Sequence, residues 1–207
     1  IATQQALVIG LIARHELPSG WPDLLPTIVD RIQNSRDLEQ QRGLTALYRV
    51  TKALASKRLK SAREMYRRLS VEMFPFLADL WIDKVDPAFA QVGEADSVPA
   101  VEAVAPQFDT ARLILKLLRV LLGHGYAEEE QAEPVAGFLD VLLQRLGGLV
   151  DLRASLLDTG AVGTITVVEK CLVTAQKLML DLHGLNPIES APLLQLTLPF
   201  ALEQIAH

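Results

Sequence analysis

The sequence predicts an all-α fold, an α-solenoid (superhelix) of about eight helices arranged in HEAT-like pairs. Half of the residues are apolar but aromatics are only 5%, and the apolar content is dominated by Leu and Ala, which suit helices packed on helices. Four segments also share one shape, a leading proline followed by Leu or Phe at helical spacing: "WPDLLPTIVDRI", "FPFLADLWIDKV", "PVAGFLDVLLQRL" and "PLLQLTLPFALEQI". Their prolines, Pro22, Pro75, Pro134 and Pro192, lie 53, 59 and 58 residues apart. Between them run more evenly apolar helices, and this alternation marks stacked helix pairs, since no single pair can bury its apolar face alone.

In chain order, "IATQQALVIGLIARH" predicts a first helix over 1–15. Its apolar window Ala6 to Ala13 ends at Arg14 and His15, so it reads as a buried helix too short to span a membrane. The stretch "ELPSGWPDLLPTI" then carries Pro18, Pro22, Pro26 and Trp21. Pro18 ends one helix, because the residue before a proline avoids the helical region. Pro22 suits a first helical turn, Pro26 should bend the new helix, and Trp21 should pack into the joint between repeats. A second helix follows over 21–34. "SRDLE" offers Ser35 or Asp37 as a cap for a third over 37–58. Its apolar Leu44, Leu47, Val50 and Leu54 must face the core.

A long fourth helix over 61–91 is expected to kink or reset at Phe74-Pro75. The acidic, Ala- and Pro-rich "VGEADSVPAVEAVAPQ" is read as a loop over 92–106. Helices over 107–124, 131–157, 162–184 and 189–206 complete the chain, separated by "GHGYAEEE", "DTGAVG" and "HGLNP". The expected organisation is one continuous array over 1–207. A second helix alone occupies 1–15, pairs occupy 21–58, 61–124 and 131–184, and a first helix alone occupies 189–207. The opening lacks an initiator Met and a cap, which fits an internal stretch of a longer protein.

No constellation for catalysis, metal or cofactor is expected. "GGLVDLRAS" and "GAVGT" lack the Lys-Ser/Thr ending of a phosphate loop. His15, His124, His183 and His207 each fall near a helix end, and none pairs with another at metal-ligand spacing. No serine stands in a G-x-S-x-G elbow. The single Cys171 excludes an internal disulfide and suits a core position.

Charge is the more informative signal. The net charge of −5 divides into +3 over 1–92 and −8 over 93–207. "RVTKALASKRLKSAREMYRR" holds Arg49, Lys52, Lys57, Arg58, Lys60, Arg63, Arg67 and Arg68 against Glu64 alone. The run is either a solvated helical face or a contact site for an acidic partner. With Tyr66 as its only aromatic and an acidic chain around it, no nucleic acid is expected as a ligand. From these residues alone, a HEAT scaffold or adaptor of a non-transport complex also remains open.

"IATQQALVIGLIARHELPSGWPDLLPTIVDRI" resembles the karyopherin-β (importin-β) family, with Ala13, Pro18, Trp21, Pro22 and Leu24 at matching places. Where the family often has an acid before the proline, this chain has Glu16 one place early, then Leu17. "LYRVTKALASKRL", from Leu47 to Leu59, is similar to the importin-eleven branch. The specific resemblance covers about residues 1–82. It implies a HEAT superhelix that carries cargo through the nuclear pore under control of the GTPase Ran. The implied receptor shuttles between cytoplasm and nucleus without catalysis, cofactor or membrane. Its implied partners are cargo, Ran-GTP through the full-length protein, and Phe-Gly nucleoporins. Phe-Gly repeats would enter gaps between the outer, Pro-marked helices, which points to Leu25, Ile28, Phe76 and Trp81. The second helix of each pair would line the inner face and put Arg49 and Lys52 within reach of Ran or cargo.

Overall fold

The computed structural model describes residues 2–125 and 132–185, together with Leu202. Every regular element among them is a helix: α1 (Ala2–Glu16), α2 (Leu24–Asn34), α3 (Asp37–Ala55), α4 (Lys60–Glu94), α5 (Val98–Glu102), α6 (Ala105–Gly125), α7 (Ala132–Leu157) and α8 (Val162–Leu185). The fold class is the expected one, an all-α solenoid of HEAT-like helix pairs. The helix expected over 189–206 and His207 lie outside the described residues, Leu202 apart. The described residues fall into two compact units. The first lies within Ile1–Phe74 and Lys116–Tyr126, the second within Pro75–Leu115 and Ala127–His207.

In the first unit α2 and α3 form an antiparallel pair. Leu24, Ile28 and Ile32 recur at every fourth residue and are buried, as are Leu44, Leu47, Val50 and Leu54. Burying each such side chain stabilises by about 1.5–3 kcal/mol. Gln40 fixes the hairpin by donating to the Ile32 carbonyl at 2.8 Å. Gly43 sits against Ile32, where an added Cβ would fall 2.9 Å from Cγ1. α1 packs on the other side of α3. Residue 10 faces 49 and residue 17 faces 57, so α1 and α3 run parallel, as equivalent helices of successive pairs must.

Expectations about α1, the next joint and the cap of α3 are corrected. Ala6, Ala13 and Leu17 are buried, but Leu7, Val8, Leu11 and Ile12 are exposed. The helix is therefore covered on the α3 side rather than all round. Pro26 is the third residue of α2, and the first intrahelical bond is Thr27 N–H to the Asp23 carbonyl at 2.9 Å. Its missing N–H thus falls among those that no carbonyl of the helix could have met, so the proline fits the first turn and no break is required. Pro22 precedes the helix. Neither Ser35 nor Asp37 caps α3: the capping position is Arg36, with extended backbone and no side-chain bond. Asp37 begins the helix at a φ of 48°, a region that Asp tolerates better than most side chains.

α4 is not reset at Pro75. It runs from Lys60 to Glu94 through both Pro75 and Pro87, which leave the carbonyls of Val71 and Asp83 without the usual helical donor. Tyr66 on α4 donates its hydroxyl to the Val120 carbonyl of α6 at 3.0 Å. In the second unit Phe89 and Phe108 meet edge to face at 6.0 Å. There α4 lies along α7: Trp81 meets Phe138 at 5.7 Å, edge on, and Arg145 forks onto Asp86 at 2.9 and 2.8 Å. The Asp86 carboxylate raises the pKa of that guanidinium above its ordinary value.

The segment expected as a loop over 92–106 is largely helical. It contains α5 and the start of α6. Val101 and Val104 are buried, so two of its valines are packing surface. α5 and the start of α6 meet α8. Thr164 donates to the Val101 carbonyl at 3.0 Å, and Cys171 Sγ lies 3.0 Å from the Phe108 carbonyl. Cys171 is a buried core thiol.

Candidate functional site

Because α1 and α3 run parallel, their C-terminal ends come to the same end of the first unit, and α4 starts there. Basic side chains are favoured in a last helical turn, where carbonyls without intrahelical donors collect. The last turn of α1 carries Arg14 and His15, ahead of its final residue Glu16. The α3–α4 turn supplies Lys57 and Arg58, and Leu59 next to it is 75% exposed. These residues line an open groove of about 780 Å³. Ser19, Ser56 and Ser61 add hydroxyls, Leu59 and Met65 add apolar surface, and no carboxylate is among its lining residues. Lys57 is half-buried and donates to the Leu17 carbonyl at 3.0 Å. That bond ties the end of α1 to the α3–α4 turn and fixes the groove floor.

The basic run is not uniformly exposed. Arg49 is half-buried on α3, where its backbone meets Gly10 of α1, its guanidinium lies 5.9 Å from the Tyr48 ring centre, and its Nε is buried without a hydrogen-bond partner among the described residues. Lys52, Arg58, Lys60, Arg63, Arg67 and Arg68 are exposed. Arg68 lies 3.8 Å from Glu64 across one helical turn, a spacing worth only a few tenths of a kcal/mol at such exposure. Of the run, only Lys57 and Arg58 line the groove. Arg14 and His15 join them there although they lie outside the run. The sequence signal for those two was the basic last turn of α1. What hid their connection to Lys57 was the parallel register of α1 and α3.

The four apolar candidates divide between the two units. Leu25 is half-buried and Ile28 buried on α2. On α4, Phe76 is half-buried and Trp81 is buried against Phe138. At the joint, Pro18, Pro22 and Pro26 are exposed and Trp21 is half-buried, whereas Leu17 and Leu24 are fully in the core.

Comparison with known proteins adds what geometry alone does not. The chain is 33% identical to Importin-11 of Mus musculus over 99% of its length, and 32% identical to Importin-11 of Homo sapiens over the same share. The chain belongs with the karyopherin-β family. It spans 20% of the length of each of these two curated relatives. A karyopherin-β relative at greater distance, the importin beta-like protein kap113 of Schizosaccharomyces pombe, is 25% identical over 77% of this chain and 17% of its own length. No family model and no solved structure matches the chain. For this karyopherin-β sequence the matching region runs through α4 to α8 as well as through 1–82, where the motifs were legible. Among the described residues no helix is long and apolar enough to cross a membrane. No group of three or more His, Cys, Asp or Glu side chains there could hold a metal ion.

Proposed function

We propose that this chain is the repeat-array segment of a nuclear transport receptor, a non-catalytic scaffold that works by binding proteins. In the full-length protein it carries cargo through the nuclear pore, shuttling between cytoplasm and nucleus under control of Ran. The observation that supports this reading is 33% identity to Importin-11 of Mus musculus along 99% of the chain, together with helix pairs of the HEAT-like kind. Transport by such a scaffold needs only exchange of partners, so differential binding does all of the work. The expected partners are cargo, Ran in its GTP form and Phe-Gly nucleoporins, the last near Leu25, Ile28, Phe76 and Trp81. The exposed part of the basic run is a contact surface for an acidic protein partner.

The test is retention of the full-length protein on immobilised Ran in its two nucleotide states. Preferential retention by the GTP form is expected, and equal retention by both overturns the reading. For the basic run, reversal of Lys57, Arg58, Arg67 and Arg68 to Glu should weaken partner binding at low salt and matter less at high salt. Unchanged binding at low salt returns the run to a solvated face.

A further inference from the structure

The groove at the common end of α1 and α3 gathers Arg14, His15, Lys57 and Arg58 from two elements that lie far apart in sequence, with no carboxylate among its lining residues. Its volume of about 780 Å³ is in the range of ligand clefts, roughly 300–1,000 Å³. Lys57 spends one donor on the Leu17 carbonyl. Arg14 and Arg58 are exposed and have no bonded partner among the described residues. Their planar forks match a carboxylate at two points each. Beside them Leu59 is 75% exposed and Met65 is half-buried, so cationic and aliphatic surface lie side by side.

We propose that this groove docks an acidic peptide segment of a protein partner, its carboxylates on Arg14 and Arg58 and an aliphatic side chain on Leu59 and Met65. This rests on reading the basic run as a protein contact surface, and it narrows that surface to one cleft and adds Arg14 and His15. Three features select a peptide. No Phe, Tyr or Trp lines the groove, so a nucleic acid would find no broad stacking platform. The chain's net charge of −5 repels a long polyanion, whereas a short acidic segment meets only the local field. A free phosphate has no use for exposed Leu59 and half-buried Met65.

The probe is a labelled ten-residue peptide of glutamates with two central leucines, titrated into the chain at 50 and 300 mM salt and followed by fluorescence anisotropy. Binding is expected at the lower salt and should weaken at the higher. Arg14→Gln and Arg58→Glu should each weaken it about tenfold. Ser61→Glu should weaken it too. That residue lines the groove in the first turn of α4, where an acid suits the helix dipole, so lost binding there cannot be put down to unfolding. Replacing the two leucines by serine should also reduce affinity. The proposal is overturned if Arg14→Gln, Arg58→Glu and Ser61→Glu all bind as the unaltered chain does, or if a ten-residue oligothymidylate binds as tightly as the peptide. If instead Arg67→Glu with Arg68→Glu weakens binding as much as Arg58→Glu, the groove assignment falls while the basic-run reading stands. If no variant, including Arg67→Glu with Arg68→Glu, changes binding, both fall.

Discussion

Glu102 caps Thr164 across a separation of more than sixty residues. Its Oε2 accepts from the Thr164 N–H at 3.1 Å and lies 3.3 Å from the Thr164 hydroxyl, while Oε1 accepts from the Gly163 N–H at 2.8 Å. These donors are among the free N–H groups that start α8, and a carboxylate there meets both the donors and the positive end of the dipole. Gly163 permits the approach, since a Cβ at that position would collide with the Glu102 carboxylate. Glu102→Ala should lower stability by about 1–2 kcal/mol, and Glu102→Gln, which keeps the shape and loses the charge, by about half as much. Urea unfolding checks the order; equal stability of all three chains would show that the cap contributes nothing.

Tyr66 makes a pH-dependent contribution of known sign. Its hydroxyl is bonded to the Val120 carbonyl, and burial raises its pKa well above the ordinary 10, with a smaller opposing effect of Ser70. Below pH 10 the phenol is protonated in both the folded and the unfolded chain and contributes no slope. Above pH 10 the unfolded chain releases the proton and the folded chain retains it. Stability is then lost as pH rises, by about 1.4 kcal/mol per unit from this group. Tyr66→Phe should cost about 1 kcal/mol at neutral pH and remove that part of the alkaline slope. Parallel denaturation curves between pH 9 and 11 give the comparison, and an identical slope in the variant would refute the assignment.

At Gly10 two effects of opposite sign compete. Alanine would gain about 1 kcal/mol of helix propensity in α1. Its Cβ, however, would lie 3.0 Å from the Arg49 carbonyl oxygen and 3.1 Å from the carbon. These are backbone atoms inside α3 and cannot rotate away. Overpacking of this kind costs about 1–3 kcal/mol, so Gly10→Ala should be net destabilising. A midpoint of thermal unfolding at or above that of the unaltered chain would show that α1 and α3 can move apart at no cost.

The helices were legible because their apolar periods are long and their turns carry Gly, Pro, Asn and Ser. The order of α1 to α4 and α6 to α8 follows from that pattern. α5 was hidden because "VPAVE" is shorter than two turns and too brief to show a period. Pro75 read as a kink or reset because local geometry disfavours proline inside a helix, yet α4 runs on through it and through Pro87 as well. Buried Phe74, Leu77, Ala78 and Trp81 flank Pro75. Lys57 and Arg58 of the groove were visible as charge. Arg14 and His15 were visible only as a helix end, because nothing in the sequence gives the register that lays residue 17 beside residue 57.

The apolar candidates on α4 call for unequal treatment in any nucleoporin-binding experiment. Trp81 is 1% exposed, packs edge-on to Phe138 at 5.7 Å, and keeps its indole N–H without a partner among the described residues. Trp81→Ala should therefore open a cavity and cost about 3–5 kcal/mol. Trp81→Phe should cost much less, because it keeps most of the ring contact and removes a buried donor that has no acceptor. Loss of Phe-Gly binding in the alanine variant would only report damage to the second unit. Phe76 is half-buried and its truncation should cost about 1–2 kcal/mol, little enough to leave the fold intact. Binding of a Phe-Gly peptide that falls in Phe76→Ala while the unfolding midpoint stays near that of the unaltered chain would support a pocket beside α4. Unchanged binding in that variant would remove Phe76 from the pocket.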